Sequence, residues 1–504
     1  MAESADLRSW LDAGARAVKH ARERLDAINV FPVPDSDTGT NLYLTLQEGN
    51  RAVAKLAHDA THREVVAAFA RGALMGARGN SGVIVSQYLT AFLSSIDGEG
   101  GLSRVDAAGI ARSLDLAAEA AYRAVGSPVE GTILTVARAA AKGAADAVEA
   151  GAGREATAVA SVVAGRAALA LTHEQLPSAR AAGVVDAGAA GLVLQLEMLA
   201  ETLAGSDALA SLDEVEWEVD DRSRGLVGDI ARGHEHEDEG GAYEVMFVAR
   251  SQEDIRDALT GELETIGDSV AVTGAHDLWQ AHVHTDEPHL AVERGIASKA
   301  HQIVVRNVRL GHDADRAATG IVALTSCPGI AEPLADAGAV VLVVPDPTAL
   351  KRRALRRAVK DASGTAAVVV AGHPALRAAA LELARKRRKP VLTVLDAQHE
   401  AQVVAAVAAA ALTTPGQDLA EQMAAAAADT VVGQSTGDAL DEDVDRMIDP
   451  RTEIVTLILA AGVPDAVADA VRLSVHGTSP QADVNVYRGQ QAAPAVLIGV
   501  ERQQ

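Results

Sequence analysis

Asn29-Val-Phe-Pro-Val-Pro-Asp35-Ser-Asp37-Thr-Gly39-Thr40-Asn41 is the stretch from which the rest of the chain is read. Pro32 and Pro34 favour an extended approach, and in an extended chain residues two apart point the same way. Asp35 and Asp37 are therefore expected to present two carboxylates on one side. Gly39 permits a sharp turn, and the run NLYLTLQEGNRAVAKLA then opens a helix. Two carboxylates beside a helix N-terminus can hold Mg²⁺ and a phosphate together. Taken alone, Asp-x-Asp before a helix is equally the signature of capping. A calcium EF-hand is excluded, because that loop needs an oxygen ligand where Gly39 stands and glycine where Thr40 stands.

Upstream, Leu7, Leu11, Ala15, Val18, Ala21, Leu25 and Ile28 recur every three or four residues and predict one buried helix face. Downstream to about residue 204 the same periodicity repeats in blocks such as REVVAAFARGALMG and TILTVARAAAKGAADAV, with no convincing strand alternation. Three further loops open helices here. Gly76-Ala-Arg-Gly79-Asn80-Ser81-Gly82 brings backbone N–H groups toward an anion, although a glycine-rich helix corner reads the same way. It is neither a Walker loop, lacking Gly-Lys-Ser/Thr, nor a Rossmann turn, since helix precedes it. Glu130-Gly131-Thr132 and Val185-Asp186-Ala187-Gly188 are ordinary N-cap signals singly. Helices standing side by side would gather these N-termini into one anion-binding rim.

Residues 205–242 turn acidic and glycine-rich, ending in GHEHEDEGG, and read as a linker; His234 and His236 belong to a solvated run more readily than to a metal site. From 243 to 312 a strand (AYEVMFVAR), a helix (EDIRDALTGELETI) and a hairpin (SVAVTG, WQAHVHT) form a small α/β unit. From 316 to 504 strands and helices alternate as in a mainly parallel sheet, and EIVTLIL, PDAVADAVRL, ADVNVYRG and AVLIGVE close the chain.

Bulk properties agree with a multidomain α and α/β protein: 504 residues suggest about three domains, and 48% apolar content can fill their cores. With aromatics at only 2%, those cores must be built from small, closely packed side chains. A net charge of -24 argues against a nucleic-acid-binding surface. The single cysteine, Cys327, excludes an internal disulfide and a cysteine-based zinc cluster, which fits a reducing cytosol. The charged N-terminus lacks a signal-peptide core, and no uninterrupted run of 18 apolar residues occurs. The expectation is a cytoplasmic protein with no integral membrane segment.

NVFPVPDSDTGTN, GALMGARGNSG, PVEGTILTVARAA and AGVVDAGAAGL, in that order, closely resemble the L-type domain of dihydroxyacetone kinases. They resemble still more the form found in the ATP-binding subunit of bacterial fatty acid kinase, over nearly all of residues 7–203. The resemblance implies a barrel of antiparallel helices (residues 1–204) with ATP and two Mg²⁺ at one end. It makes Asp35 and Asp37 metal ligands, with Asn29 at an upstream metal position. Thr38, Gly39, Thr40, Asn41, Asn80, Ser81, Thr132, Ile133, Asp186, Ala187 and Gly188 fall at nucleotide-contact positions. Ser36 replaces the glycine common between the two aspartates, with its side chain expected to point away.

The remainder resembles the middle and C-terminal domains of the same kinase component. In relatives two histidines matching His282 and His284 join a cysteine in a zinc site, and Glu244 stands where that cysteine would be; a Glu/His/His zinc site and a hydrogen-bonded histidine pair are both open. The Gly-Gly-Gln-Thr-Met-Asn-Pro and Pro-Asn-Asn loops of many relatives are missing, replaced by VVPDPTALKRRALRRAVK and VVAGHPALRAAA. The basic clusters at Lys351, Arg352, Arg353, Arg356 and Arg357 and at 385–389 read either as solvated helix faces or as a dock for an acidic protein. The function implied is an ATP-dependent phosphotransferase making acyl phosphate from fatty acid carried by a DegV-type fatty-acid-binding protein. No catalytic base is named, and a homodimer is compatible with the sequence. The rivals are part of a glycerone-type kinase and a nucleotide-sensing scaffold without turnover.

Overall fold

The structure, a computed structural model, describes residues 4–502 except 211, 213–240, 276, 301, 311–318, 363–364, 387–388 and 415–416. Most of the acidic linker, with His234 and His236, therefore lies outside the described residues. The chain divides into two compact units, Met1–Gly241 with Arg250–His284, and Ala242–Ala249 with Thr285–Gln504.

The first unit begins with helices α1 (Ala5–Ala27), α2 (Thr38–Val53), α3 (His62–Gly76), α4 (Gly79–Gly98), α5 (Ala107–Arg123), α6 (Ile133–Glu149), α7 (Arg154–Gln175), α8 (Pro177–Ala182) and α9 (Ala187–Ala204). Each of α1 to α7 packs on the next, α7 packs on α9, and α9 returns to α1, closing a ring. The expected α1 stripe is the one that is buried, from Leu7 through Val18 to Ile28. Helix starts follow local chemistry: Thr61 and Glu64 form a reciprocal capping box on α3, and the Asp106 carboxylate accepts from Gly109 N at the head of α5. Helices α7 and α9 are long and apolar enough to cross a membrane, but both are ring members packed on their neighbours.

The chain then forms strand β1 (Tyr243–Arg250), nearly all of it in the second unit, and returns to the first as α10 (Arg256–Glu264), β2 (Asp268–Ala275) and β3 (Leu278–Thr285). β2 and β3 pair antiparallel, as expected for the hairpin. This hairpin packs on the helical ring. Gly126 N donates to Val270 O at 3.0 Å, and Ala271 shares a small buried cluster with Ala77 and Val83.

The second unit continues with α11 (Pro288–Ala297), β4 (Ile303–Asn307), β5 (Thr319–Thr325), α12 (Ala331–Asp336), β6 (Val340–Val343), α13 (Arg352–Ala362), β7 (Ala366–Ala371), α14 (Pro374–Lys386) and β8 (Val391–Val394). Its strands run β1-β4-β6-β5-β7-β8, parallel from β6 to β8 and antiparallel at β1, β4 and β6. After α15 (Glu400–Ala411) and α16 (Leu419–Asp429) come β9 (Val431–Ser435), α17 (Leu440–Asp445), β10 (Thr452–Leu459), α18 (Ala466–Thr478), β11 (Asp483–Arg488) and β12 (Val496–Arg502). The closing strands do not extend the parallel sheet: they form a separate mixed sheet, ordered β11-β10-β12-β9. Its core is aliphatic, with Val455, Leu457, Val471, Ile498 and Val500 fully buried.

Open parallel sheets hold ligands outside the carboxyl ends of their strands, where strand order reverses. Here that place is taken by the chain's own Glu400, 2% exposed, which accepts from Thr325 Oγ1 at 2.8 Å, Ser326 N at 2.8 Å and Ser326 Oγ at 2.6 Å. Burial raises its carboxyl above the ordinary range, against the pull of these bonds.

Candidate functional site at the helix N-termini

Loop 29–37 enters α2 through a hydrogen-bonded network. The Asn29 amide is 2% exposed and donates to Asp35 Oδ1 at 2.8 Å and to Val33 O at 3.1 Å, while its oxygen accepts from Thr38 Oγ1 at 2.6 Å. Asn41 Nδ2 donates to Asp37 Oδ1 at 2.6 Å. Each aspartate is thus oriented by an amide from a different part of the chain. The loop is not the simple extended run expected from Pro32 and Pro34. Ser36 stands at φ 54 in the left-handed region with its side chain exposed. That conformation costs a non-glycine residue about 1 kcal/mol, which explains why glycine suits this position and why an outward serine is accommodated.

Sequence reasoning passes over Asp26, which the fold brings to the same place. It lies in the last turn of α1, off the apolar stripe, and its carboxylate accepts from Thr40 N at 2.9 Å and Thr40 Oγ1 at 2.8 Å. Burial pushes the Asp26 carboxyl up to about 6; the Thr40 bonds pull it down and the charge of Asp37 adds to the rise. Gly39 makes this approach possible, since a Cβ there would meet Arg22 O at 2.4 Å and Leu25 Cβ at 2.7 Å.

The second loop is joined to the first. Gly79 has φ +54, and a Cβ on it would lie 2.6 Å from Asn41 Nδ2. Arg78 N donates to Thr45 Oγ1 at 3.3 Å, which in turn donates to Asn41 O at 2.7 Å. Asn80 Oδ1 is buried with no hydrogen-bond partner among the described residues, so a polar group arriving there would meet an acceptor already stripped of water.

The third and fourth loops close the set. Thr132 caps α6 through Leu134 N, and Asp186 caps α9 through Ala189 N at 2.7 Å while also accepting from the Ile133 backbone. A Cβ on Gly188 would meet Ser81 Oγ at 3.3 Å, Asp186 Oδ1 at 3.4 Å and Ile133 Cβ at 3.6 Å, so the starts of α4, α6 and α9 converge. Ala187 beside them is 3% exposed. Full burial pushes the Asp186 carboxyl up to about 7, against the pull of its backbone bonds to Ala189 and Ile133. The starts of α2, α4, α6 and α9 therefore lie at one end of the ring, and their partial positive charges add over a site able to receive an anion.

On β3, in the first unit, Gln280, His282 and His284 alternate onto one face, 1%, 0% and 5% exposed, with the imidazole centroids 5.0 Å apart. Two adjacent buried imidazoles are reasonable donors to zinc, and a carboxylate is a reasonable third. Glu244, the expected third ligand, lies on β1 in the second unit, 4% exposed. Its Oε2 accepts from the Arg306 guanidinium, so any cation would share this carboxylate with an arginine.

Of the basic cluster, Lys351, Arg352 and Arg353 are exposed, but Arg357 is not part of that surface. It is 7% exposed, paired with Asp361 at 3.7 Å, with Nη2 3.4 Å from Met246 Sδ. Of the second cluster, residues 387–388 lie outside the described residues.

Three family models match the chain in order: the DAK2 domain over residues 32–201, the FakA-like middle domain of fatty acid kinase over 240–315, and the FakA-like C-terminal domain over 429–501. Protein YloV of Bacillus subtilis is 35% identical over 286 residues, covering 55% of this chain and 50% of its own length. An uncharacterized protein of Staphylococcus haemolyticus is 30% identical over 355 residues, covering 66% of this chain and 62% of its own. The matched regions thus span about half to three-fifths of these curated relatives. With all three domain models present and in sequence, the chain belongs to the FakA-like fatty acid kinase family of DAK2-domain proteins.

Proposed function

We propose that the chain is the ATP- and Mg²⁺-dependent component of a fatty acid kinase, phosphorylating a fatty acid held by a separate DegV-type carrier protein to give acyl phosphate. The observation that carries this reading is the convergence of four helix starts beside Asp35 and Asp37, with the unsatisfied Asn80 Oδ1 among them. Asp35 and Asp37 would hold the metal, with Asn29 beside them, and bound Mg²⁺ supplies neutralisation of phosphate charge. Thr38, Gly39, Thr40, Asn41, Asn80 and Ser81 would face the phosphates, and Thr132, Ile133, Asp186, Ala187 and Gly188 the rest of the nucleotide.

In the reaction a fatty acid carboxylate oxygen bonds to the γ-phosphorus while the bond to the β–γ bridging oxygen breaks and ADP leaves. A carboxylate is already ionised at neutral pH, so no proton has to be removed and no general base is required. The protein's task reduces to alignment and electrostatics. Glu244, His282 and His284, each buried, are read as a zinc set, and a reducing cytoplasm suits the one cysteine, Cys327, which is free and buried.

The test is acyl-phosphate formation by the full chain with Mg²⁺, ATP and purified carriers loaded with fatty acid, alongside dihydroxyacetone as acceptor. Transfer to the carrier-bound acid is the expected result. Turnover with dihydroxyacetone alone would make it a glycerone-type kinase, and nucleotide binding without transfer to any acceptor would make it a sensor.

A further inference from the structure

We infer that Asp26 is a positioning residue that caps helix α2 from a neighbouring helix and so leaves Asp37 available to the metal. A helix N-terminus needs an acceptor for the N–H of its second or third residue, and the side chain immediately preceding the helix ordinarily provides it. In α2 that preceding residue is Asp37, whose side chain makes no cap bond and instead accepts from Asn41 Nδ2 at 2.6 Å. The third amide of the helix, Thr40 N, is taken by Asp26 Oδ1 at 2.9 Å, and Asp26 Oδ2 accepts the Thr40 hydroxyl at 2.8 Å. The contact is built in. Gly39 has no room for a Cβ against Arg22 O and Leu25, so the end of α1 and the start of α2 are held where one carboxylate can reach both Thr40 groups. Remove Asp26, and the nearest carboxylate able to take over the cap is Asp37 itself, turned away from a metal.

This inference rests on the kinase reading, and its test separates the two. Mg²⁺-dependent ATP binding is titrated in the wild-type full chain and in Asp26→Ala and Asp26→Asn, with steady-state transfer and amide exchange at Thr40 measured in each. Asp26→Ala is expected to raise the Mg²⁺ half-saturation by about tenfold, the size of one lost cap, with little change in kcat at saturating Mg²⁺. Exchange at Thr40 should accelerate. Asp26→Asn keeps an acceptor oxygen and should restore half-saturation to near the wild-type value. Unshifted Mg²⁺ dependence in Asp26→Ala, or an Asn variant as impaired as the Ala variant, overturns the inference while the kinase reading stands. A wild-type chain that binds no ATP with Mg²⁺ overturns both.

Discussion

Gln280 Nε2 donates to Ala77 O at 2.9 Å, two residues ahead of the left-handed Gly79 that opens helix α4. A side chain from the hairpin thereby fixes the carbonyl from which the glycine-rich loop departs. Gln280→Ala removes that bond and leaves a small hole in a region where Gln280 is 1% exposed. The expected result is a KM for ATP raised by about threefold to tenfold with kcat nearly unchanged, since a bond of this kind contributes about 1 kcal/mol. Kinetics that match the wild type would separate the hairpin from the nucleotide loop.

Asp37→Ala and Asp35→Ala address the metal assignment. Each carboxylate belongs to the loop network rather than to the aliphatic core, so removing it should leave the melting temperature within a few degrees of the wild type. Transfer should fall by about 10² to 10³, the usual loss for one electrostatic stabiliser. Wild-type turnover in a well-folded Asp37→Ala protein would refute the assignment.

Asp186 makes the stability of the nucleotide-free first unit depend on pH. Its carboxyl rises from 3.8 to about 7 in the folded protein. A raised carboxyl favours folding while it is protonated. The contribution is complete below about 4 and disappears as pH climbs through about 7, amounting to a few kcal/mol at most. Asp186→Asn cannot ionise yet keeps an acceptor for Ala189 N. The melting temperature of the wild type relative to this variant should therefore decline between about pH 4 and pH 7; parallel profiles would contradict the burial argument.

If zinc is held by Glu244, His282 and His284, protein purified without chelators should carry it stoichiometrically, and His284→Ala should lose it. Metal analysis that finds none would leave a buried histidine pair on β3 and a carboxylate paired with Arg306, each structural in its own unit.

What is legible in the sequence is what chemistry fixes locally. The α1 stripe declares itself because its period matches one helix face, and Asp106, Thr132 and Asp186 announce helix starts because a cap bonds only two or three residues onward. Strands β4 and β9 escape the sequence pattern. Ile303–Asn307 and Val431–Ser435 are five residues each, and what makes them strands is a partner far along the chain. The separate final sheet is hidden for the same reason. Asp26 is invisible because its partner, Thr40, is fourteen residues away across a turn. Arg357 reads as surface charge until the fold turns it inward toward Asp361.

The order of the two units along the chain has a consequence for engineering and inheritance. Residues 242–249 belong to the second unit, while 250–284 return to the first before the chain leaves it for good. No single break in the polypeptide yields both units whole: a cut before 242 takes the hairpin from the helical ring, and a cut after 284 takes β1 from its sheet. Such a gene cannot be divided into two free-standing halves by one split, nor exchange its helical half with a relative at one crossover without carrying β1 along.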